Sequence, residues 1–156
     1  MEFCSNNPLR AIAQLDEKSI GYELIYTPEP ILSVKDGVRI LAIEAGQTAP
    51  TLILNSDSGF YAAIVSGARG KLDFKLLAKL LGCQRVELAT KKDVQATIGF
   101  TPGQVPLTGH GLPCILDQML LKYDFVYGGT GQGAVTLKIK PQALYAVNRV
   151  IAELHC

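Results

Sequence analysis

Apolar positions recur along this chain in short runs whose period switches between helical and extended, with turn residues between them. Leu9, Ile12, Ala13 and Leu15 form a helical stripe from Asn7-Pro8, a cap followed by proline at the first helical position, to about Lys18, and Gly21 is the expected stop. Tyr22–Tyr26 reads as a strand closed by Thr27-Pro28-Glu29-Pro30. Ser33 can cap a second helix carrying Val34, Val38, Leu41 and Ala42 on one face. Gly37 weakens it by about 1 kcal/mol against alanine, and Gly46 is its expected end. Thr51–Leu54 and Phe60–Val65 are strands joined by the turn Asp57-Ser58-Gly59.

Asp73 caps a third helix, with Phe74, Leu77, Ala78 and Leu81 at helical spacing and Gly82 at the stop. Arg85–Leu88 is a short strand, and Thr90 to Asp93 open a helix reaching about Ile98. Further strands are expected at 113–116, 125–127 and 134–139, with a short helical turn around Met119-Leu120-Leu121. In 134–139 one face is apolar and the other polar. Pro141 opens a last helix with Leu144, Val147, Val150, Ile151 and Leu154 inward. The pattern predicts a mixed α/β (α+β-like) fold. It would be one domain over 1–156, a twisted mixed sheet of about seven short strands, partly barrel-like, with about five surrounding helices. The hairpin and the strand-loop-strand pieces argue against a plain parallel doubly wound order.

Glycine changes the picture from scaffold to site. Eight of the fifteen glycines fall in two loops, Gly99 to Gly111 and Gly128 to Gly133. Glycine lets a ligand approach peptide N–H groups, and a connection as long as the first loop exceeds the ordinary ~4–6 residues. The two loops predict a pocket whose chemistry rests mostly on backbone.

Charge adds one local feature. The chain carries a net charge of +1, but between Ala68 and Val94 seven basic residues meet three acidic ones, a local +4. Lys71, Lys75, Lys79 and Arg85 there form either a face for phosphates or a solvated helix flank. The four cysteines are dispersed and the two histidines lack zinc-ligand spacing, so no metal and no cofactor is expected. With no leader-like N-terminus and no apolar run of ~18 residues, a cytoplasmic chain without a membrane partner is expected.

No G-x-x-x-x-G-K-[ST] phosphate loop is present, and the dinucleotide fingerprint fails because a strand and not a helix follows Gly129-Thr130-Gly131-Gln132-Gly133. No G-x-S-x-G elbow is present, although Ser66, His110 and Asp117 leave a nucleophile-base-acid set open. His110 is either a loop anchor or a substrate contact. Asp117 is a cap or orients a loop N–H, and Thr51 and Thr130 offer hydroxyls or satisfy local backbone.

The order of these pieces resembles the YbaK/prolyl-tRNA synthetase editing-domain family of aminoacyl-tRNA deacylases. The signposts are Gly46-Gln47, the Thr51 strand, Ser66-Gly67, Leu72 to Gly82, Gly99 to Pro106, Gly109-His110, Asp117 and Tyr127 to Gly131. They span about Leu9 to Val147. The resemblance implies a trans-acting deacylase that hydrolyses the ester between a small, wrong amino acid and tRNA. Backbone N–H groups of the loop Gly103 to Leu107, with Gly103, Val105 and Pro106 as its catalytic positions, would act on the ester carbonyl, assisted by a ribose hydroxyl or a water. It implies a substrate pocket at Thr51, Ser66, Gly67, Gly109, His110, Asp117, Gly129, Thr130 and Gly131. It also implies tRNA contact at Lys71, Lys75, Lys79 and Arg85, and a synthetase as a further partner. An aminoacyl ester is already activated, so positioned donors suffice in principle.

Two positions depart from the family. Pro50 stands where a lysine is usual, with Lys71 a conceivable stand-in, and Leu107 stands where the loop proline is usual, the proline here being Pro106. Two other readings stay open: a non-catalytic module that binds aminoacyl-tRNA, a synthetase or an amino-acid-like ligand, and a different hydrolase using His110 or Ser66.

Overall fold

A computed structural model describes residues 8–155. Capping decides where several helices begin and end. α1 (Pro8–Glu17) closes through Ile20 N–H on Leu15 O, with Ser19 in the left-handed region, so it stops before Gly21. Its expected cap, Asn7, lies outside the described residues. β1 (Glu23–Tyr26) leads to α2 (Val34–Leu41), whose Ser33 Oγ accepts from Asp36 N–H. Ala42, at φ 55°, ends α2, and Gly46 instead belongs to a following 3-10 turn, Ala45–Gln47. Gly37 is buried in α2 because a Cβ there would lie 3.0 Å from Thr48 Cγ2. Close packing, not helix propensity, explains that glycine.

β2 (Thr51–Ser56) and β3 (Gly59–Ile64) form the expected hairpin. α3 (Phe74–Leu81) has Asp73 accepting from Lys75 and Leu76 N–H, and Gly82 is left-handed at its end. β4 (Val86–Leu88), α4 (Lys91–Ile98, capped by Thr90) and β5 (Cys114–Asp117) follow. A 3-10 turn, Gln118–Lys122, leads to β6 (Val126–Gly129), β7 (Val135–Ile139), α5 (Ala143–Val147) and β8 (Val150–Leu154).

The mixed α/β class is borne out, with eight strands and five helices among the described residues, in two sheets where one had been expected. One is antiparallel, in the order β1-β7-β6. The other is mixed, in the order β4-β2-β3-β5-β8, with β3-β5 and β5-β8 parallel. A bridge from Thr48 to Tyr127 joins the lead-in of β2 to β6, partly closing the two sheets on one another.

The larger core fills the space between the sheets. Ile53, Ala62, Ile64, Cys114 and Leu116 meet Val126, Leu137 and Ile139 there, with Phe100 and Leu107 packed in from the long loop. A second core lies on the other face of the five-stranded sheet. Leu77 and Ala78 of α3 cover Leu54, Ala63, Val65 and Ile115 there. Burying such side chains is worth about 1.5–3 kcal/mol each.

The C-terminal helix expected to run through Leu154 is corrected. It stops at Val147, Asn148 is extended (φ −129°, ψ 151°), and Val150–Leu154 pair in parallel with β5. Ile151, expected inward, is 47% exposed. The polar face expected in β7 is also corrected at Thr136, which is buried.

Candidate functional site

A cavity of about 320 Å³ opens where the lead-in of β2, the β6–β7 end of the three-stranded sheet and α2 come together. Both glycine loops line it, Gly103, Gln104 and Val105 from the first and Gly128, Gly129, Gln132 and Gly133 from the second. α2 supplies Val34, Gly37 and Leu41, and the segment before it supplies Ile31 to Ser33. The β2 end supplies Thr48 to Leu52, so Pro50 is in the wall where the family has its lysine. Among the described residues the wall holds no carboxylate, imidazole, ammonium or guanidinium group. Its polar side chains are Ser33, Thr48, Thr51, Gln104, Tyr127, Gln132 and Thr136.

The two loops are fastened together. Pro106 bridges Gly129, and Leu107 N–H donates to Gly129 O at 3.0 Å. A Cβ on Gly129 would overlap the Val105 carbonyl oxygen, and one on Gly128 would overlap the Leu107 side chain. These glycines are needed for close approach of one loop to the other.

Within the first loop Gln104 N–H is spent on Thr101 O at 2.9 Å. The N–H groups of Gly103 and Val105 meet no acceptor among the described residues. Gly103 is left-handed, at φ 88°, and exposed at the lip, and Val105 is buried. Thr51 Oγ1 is buried and has no hydrogen-bond partner, the one such side-chain atom among the described residues. Buried polar atoms are ordinarily paired, and in a cavity wall this hydroxyl is open to a water or a ligand atom.

The other sequence-predicted residues are placed apart from this wall. Asp117 is fully buried. Its Oδ2 accepts from Ser66 N–H at 2.9 Å and Arg69 Nε at 2.7 Å, and its Oδ1 from Arg69 Nη2 and Met119 N–H, both at 2.9 Å. It is therefore a cap, an ion-pair partner and a holder of a loop N–H at once. Ser66 Oγ donates to Gly46 O at 2.9 Å, and Gly67 N–H to Thr48 O at 3.0 Å. A Cβ on Gly67 would overlap Thr48 Oγ1 and approach Val34 Cγ1 to 2.9 Å. Ser66, Gly67 and Asp117 thus support the wall from behind.

Thr130 Oγ1 donates to Val135 O at 2.7 Å and holds the second loop from inside, where Gly131 takes a left-handed turn. His110 and Gly109 line a separate hollow of about 260 Å³ with Gln14 and Arg149. His110 Nδ1 accepts from Leu112 N–H at 3.0 Å, which puts the ring proton on Nε2, 3.5 Å from Cys114 Sγ. Burial pushes the Cys114 thiol up to about 12. Ser66, His110 and Asp117 therefore do not assemble into a nucleophilic set.

Lys71, Lys75, Lys79 and Arg85 are all exposed on or beside α3, and none lines the cavity. Lys71 does not replace the missing lysine in the wall. Arg69, counted in the basic segment, is committed to Asp117. Sequence reasoning missed α2 and the Ile31–Ser33 segment as walls. Gly37 was the available signal, a glycine where an amphipathic helix has no need of one.

Comparison with known proteins gives the family. The aminoacyl-tRNA editing domain matches residues 28–146. A protein of Enterococcus faecalis named as a candidate Cys-tRNA(Pro)/Cys-tRNA(Cys) deacylase, EbsC, is 28% identical over 152 residues, 95% of this chain and 92% of that protein. A proline–tRNA ligase of Fervidobacterium nodosum is 28% identical over 116 residues, covering 73% of this chain and 20% of the ligase. A crystal structure described as a candidate trans-editing enzyme for prolyl-tRNA synthetase superposes with a TM-score of 0.82 at 26% identity, over 100% of this chain and 97% of that one.

Proposed function

This chain belongs to the aminoacyl-tRNA editing domain family, and on that premise we propose that it is a trans-acting deacylase that hydrolyses the ester joining a small amino acid to the 3′ end of tRNA. The observation that carries the reading is a largely apolar wall whose polar groups are backbone, hydroxyl and amide, with no charged side chain among the described residues. Gly103 and Val105 N–H are left without internal acceptors in it, and Thr51 Oγ1 without a partner. Such donors suit a carbonyl oxygen that becomes negative as it is attacked.

In this mechanism the ester carbonyl lies against the Gly103–Val105 edge. A water oxygen, positioned by a ribose hydroxyl or by Thr51, bonds to the carbonyl carbon, and the negative charge collects on the carbonyl oxygen facing the amides. The bond to the ribose oxygen then breaks, the amino acid leaves as its acid, and the water's proton passes to the ribose oxygen. Loss of one such donor in other hydrolases costs about 10²–10³ in rate, enough to carry catalysis on an activated ester without a lysine. Pro106, which has no N–H, shapes the loop through its bridge to Gly129 and donates nothing. At about 320 Å³ the cavity is at the lower end of ligand sites. That size supports a small amino acid and rejection of bulk by clash. A synthetase as a second partner is supported by the kinship with the proline–tRNA ligase segment.

The test is incubation with Ala-, Cys- and Ser-tRNA, mischarged and correctly charged. Hydrolysis above the buffer rate is expected with at least one, and a clear loss in Gly103→Val, whose side chain bars close approach to the amides. Absence of hydrolysis with every substrate would remove the reading.

A further inference from the structure

One face of the β6–β7 pair runs from the cavity to solvent. Gly129 and Thr136 are opposite each other at the cavity end, and Tyr127 and Lys138 are the next pair on that face. Tyr127 still lines the cavity. Phe125 lies one step further out, at the mouth of β6, and is 36% exposed. Lys138 Nζ lies 4.6 Å from the Phe125 ring centroid and 5.9 Å from that of Tyr127. Glu23 faces Lys138 across the β1–β7 ladder, yet Lys138 forms no ion pair among the described residues. The result is a cation held over two aromatic rings with no ion pair among the described residues, on a strip continuous with the cavity.

We infer that the strip of Tyr127, Lys138 and Phe125 seats the unpaired nucleotides at the 3′ end of the RNA, with Lys138 taking a phosphate and Phe125 a base face. The inference rests on the proposed deacylase reading for the identity of the RNA. The cavity itself offers a polyanion nothing, so the nucleotides next to the ester must be held at its edge. Unpaired bases are recognised by stacking on aromatic rings beside a cation, and each stacked base is worth ~1–3 kcal/mol. Cation–π contact keeps the ammonium in place without cancelling its charge, as a carboxylate would. The cations of α3 lack this arrangement. They lie on the face of the five-stranded sheet that α3 covers, away from the cavity, and no cation–π contact joins them among the described residues.

The probe is a fluorescein-labelled RNA duplex with an unpaired ACCA 3′ end, compared by anisotropy with the same duplex cut blunt. The intact chain is expected to prefer the overhang. Lys138→Ala and Phe125→Ala should each weaken overhang binding by about tenfold and leave blunt binding unchanged, while Lys138→Arg retains the preference. Lys138→Ala should also flatten the salt dependence by about one phosphate contact. The inference is overturned by equal affinity for the two duplexes, by unchanged overhang binding in both alanine variants, or by loss of the preference only when Lys75 and Lys79 are replaced. Hydrolysis is measured on the same proteins. Overhang binding through Lys138 without turnover sinks the deacylase reading and leaves the strip. Turnover with KM unaltered in both alanine variants does the reverse.

Discussion

Removing the Asp117 carboxylate should destabilise the protein far more than its distance from the cavity suggests. The group is fully buried and accepts four hydrogen bonds, two from the Arg69 guanidinium and one each from Ser66 and Met119 N–H. Arg69 also donates to His155 O at 2.6 Å, so one carboxylate ties the end of β5, the loop after β3 and the chain beyond β8. Asp117→Ala takes the carboxylate away from Arg69, whose side chain is only 19% exposed and keeps its bond to His155 O. Breaking a buried pair costs about 3–5 kcal/mol. Because Arg69 retains some access to water, the lower figure of about 3 kcal/mol applies. At ~2–4 °C per kcal/mol for a chain of this length, melting should fall by about 10 °C. Asp117→Asn, which keeps one acceptor oxygen, should lose roughly half of that. Thermal and urea unfolding followed by circular dichroism measure both, and a cycle with Arg69→Met should show coupling of about 1–3 kcal/mol. An Asp117→Ala protein melting within about 3 °C of the parent, or an additive cycle, would refute this account. So would a folded Asp117→Asn protein whose turnover collapsed, since that would put the residue on the substrate.

Thr51→Val removes the unpartnered hydroxyl at constant shape. Melting should hold or rise while turnover falls, because an unmet buried polar group costs about 1–3 kcal/mol; a clear loss of stability would mean that the hydroxyl is already satisfied. Gly129→Ala, forced against the Val105 carbonyl, should lower melting more than Gly111→Ala, which meets nothing within 4 Å and bears only the strain of φ 80°. The reverse order would count against fastened loops. Burial, with help from Glu153, pushes the Tyr145 phenol up to about 12. A raised native value means that this contribution to stability is intact below pH 10 and is lost as pH climbs toward 12. Tyr145→Phe should flatten alkaline unfolding in that window, and an unchanged curve would contradict the hydrogen bond to Glu153.

Local signals were legible where one residue type has one physical use. Asp73 and Gly82 bracket α3, Ser33 and Thr90 start α2 and α4, and Asp57-Ser58 marks the hairpin. The C-terminal segment misled because Leu144, Val147, Val150, Ile151 and Leu154 satisfy a helical period, and nothing in them announces the edge of β5. Asn148, donating from Nδ2 to Leu107 O at 2.9 Å, draws the chain out of the helix, and that partner is distant in sequence. The division into two sheets depends on pairings of the same non-local kind. At the site, the two glycine loops were readable as walls. The roles of Ser66, Gly67 and Asp117 as supports from behind were not, since a buried carboxylate and a bound one look alike in sequence. The aromatic-cationic strip needed the β6–β7 register to bring Phe125 and Lys138 together.

The tie between Pro106 and Gly129 makes the two glycine loops one piece of masonry. Neither bank of the cavity can be moved without the other, so the spacing between the amides of the first loop and the floor of the second is set at folding, before any substrate arrives. On the proposed deacylase reading, discrimination then resembles a gauge more than a glove, and altering the preferred amino acid would require matched changes on both banks at once.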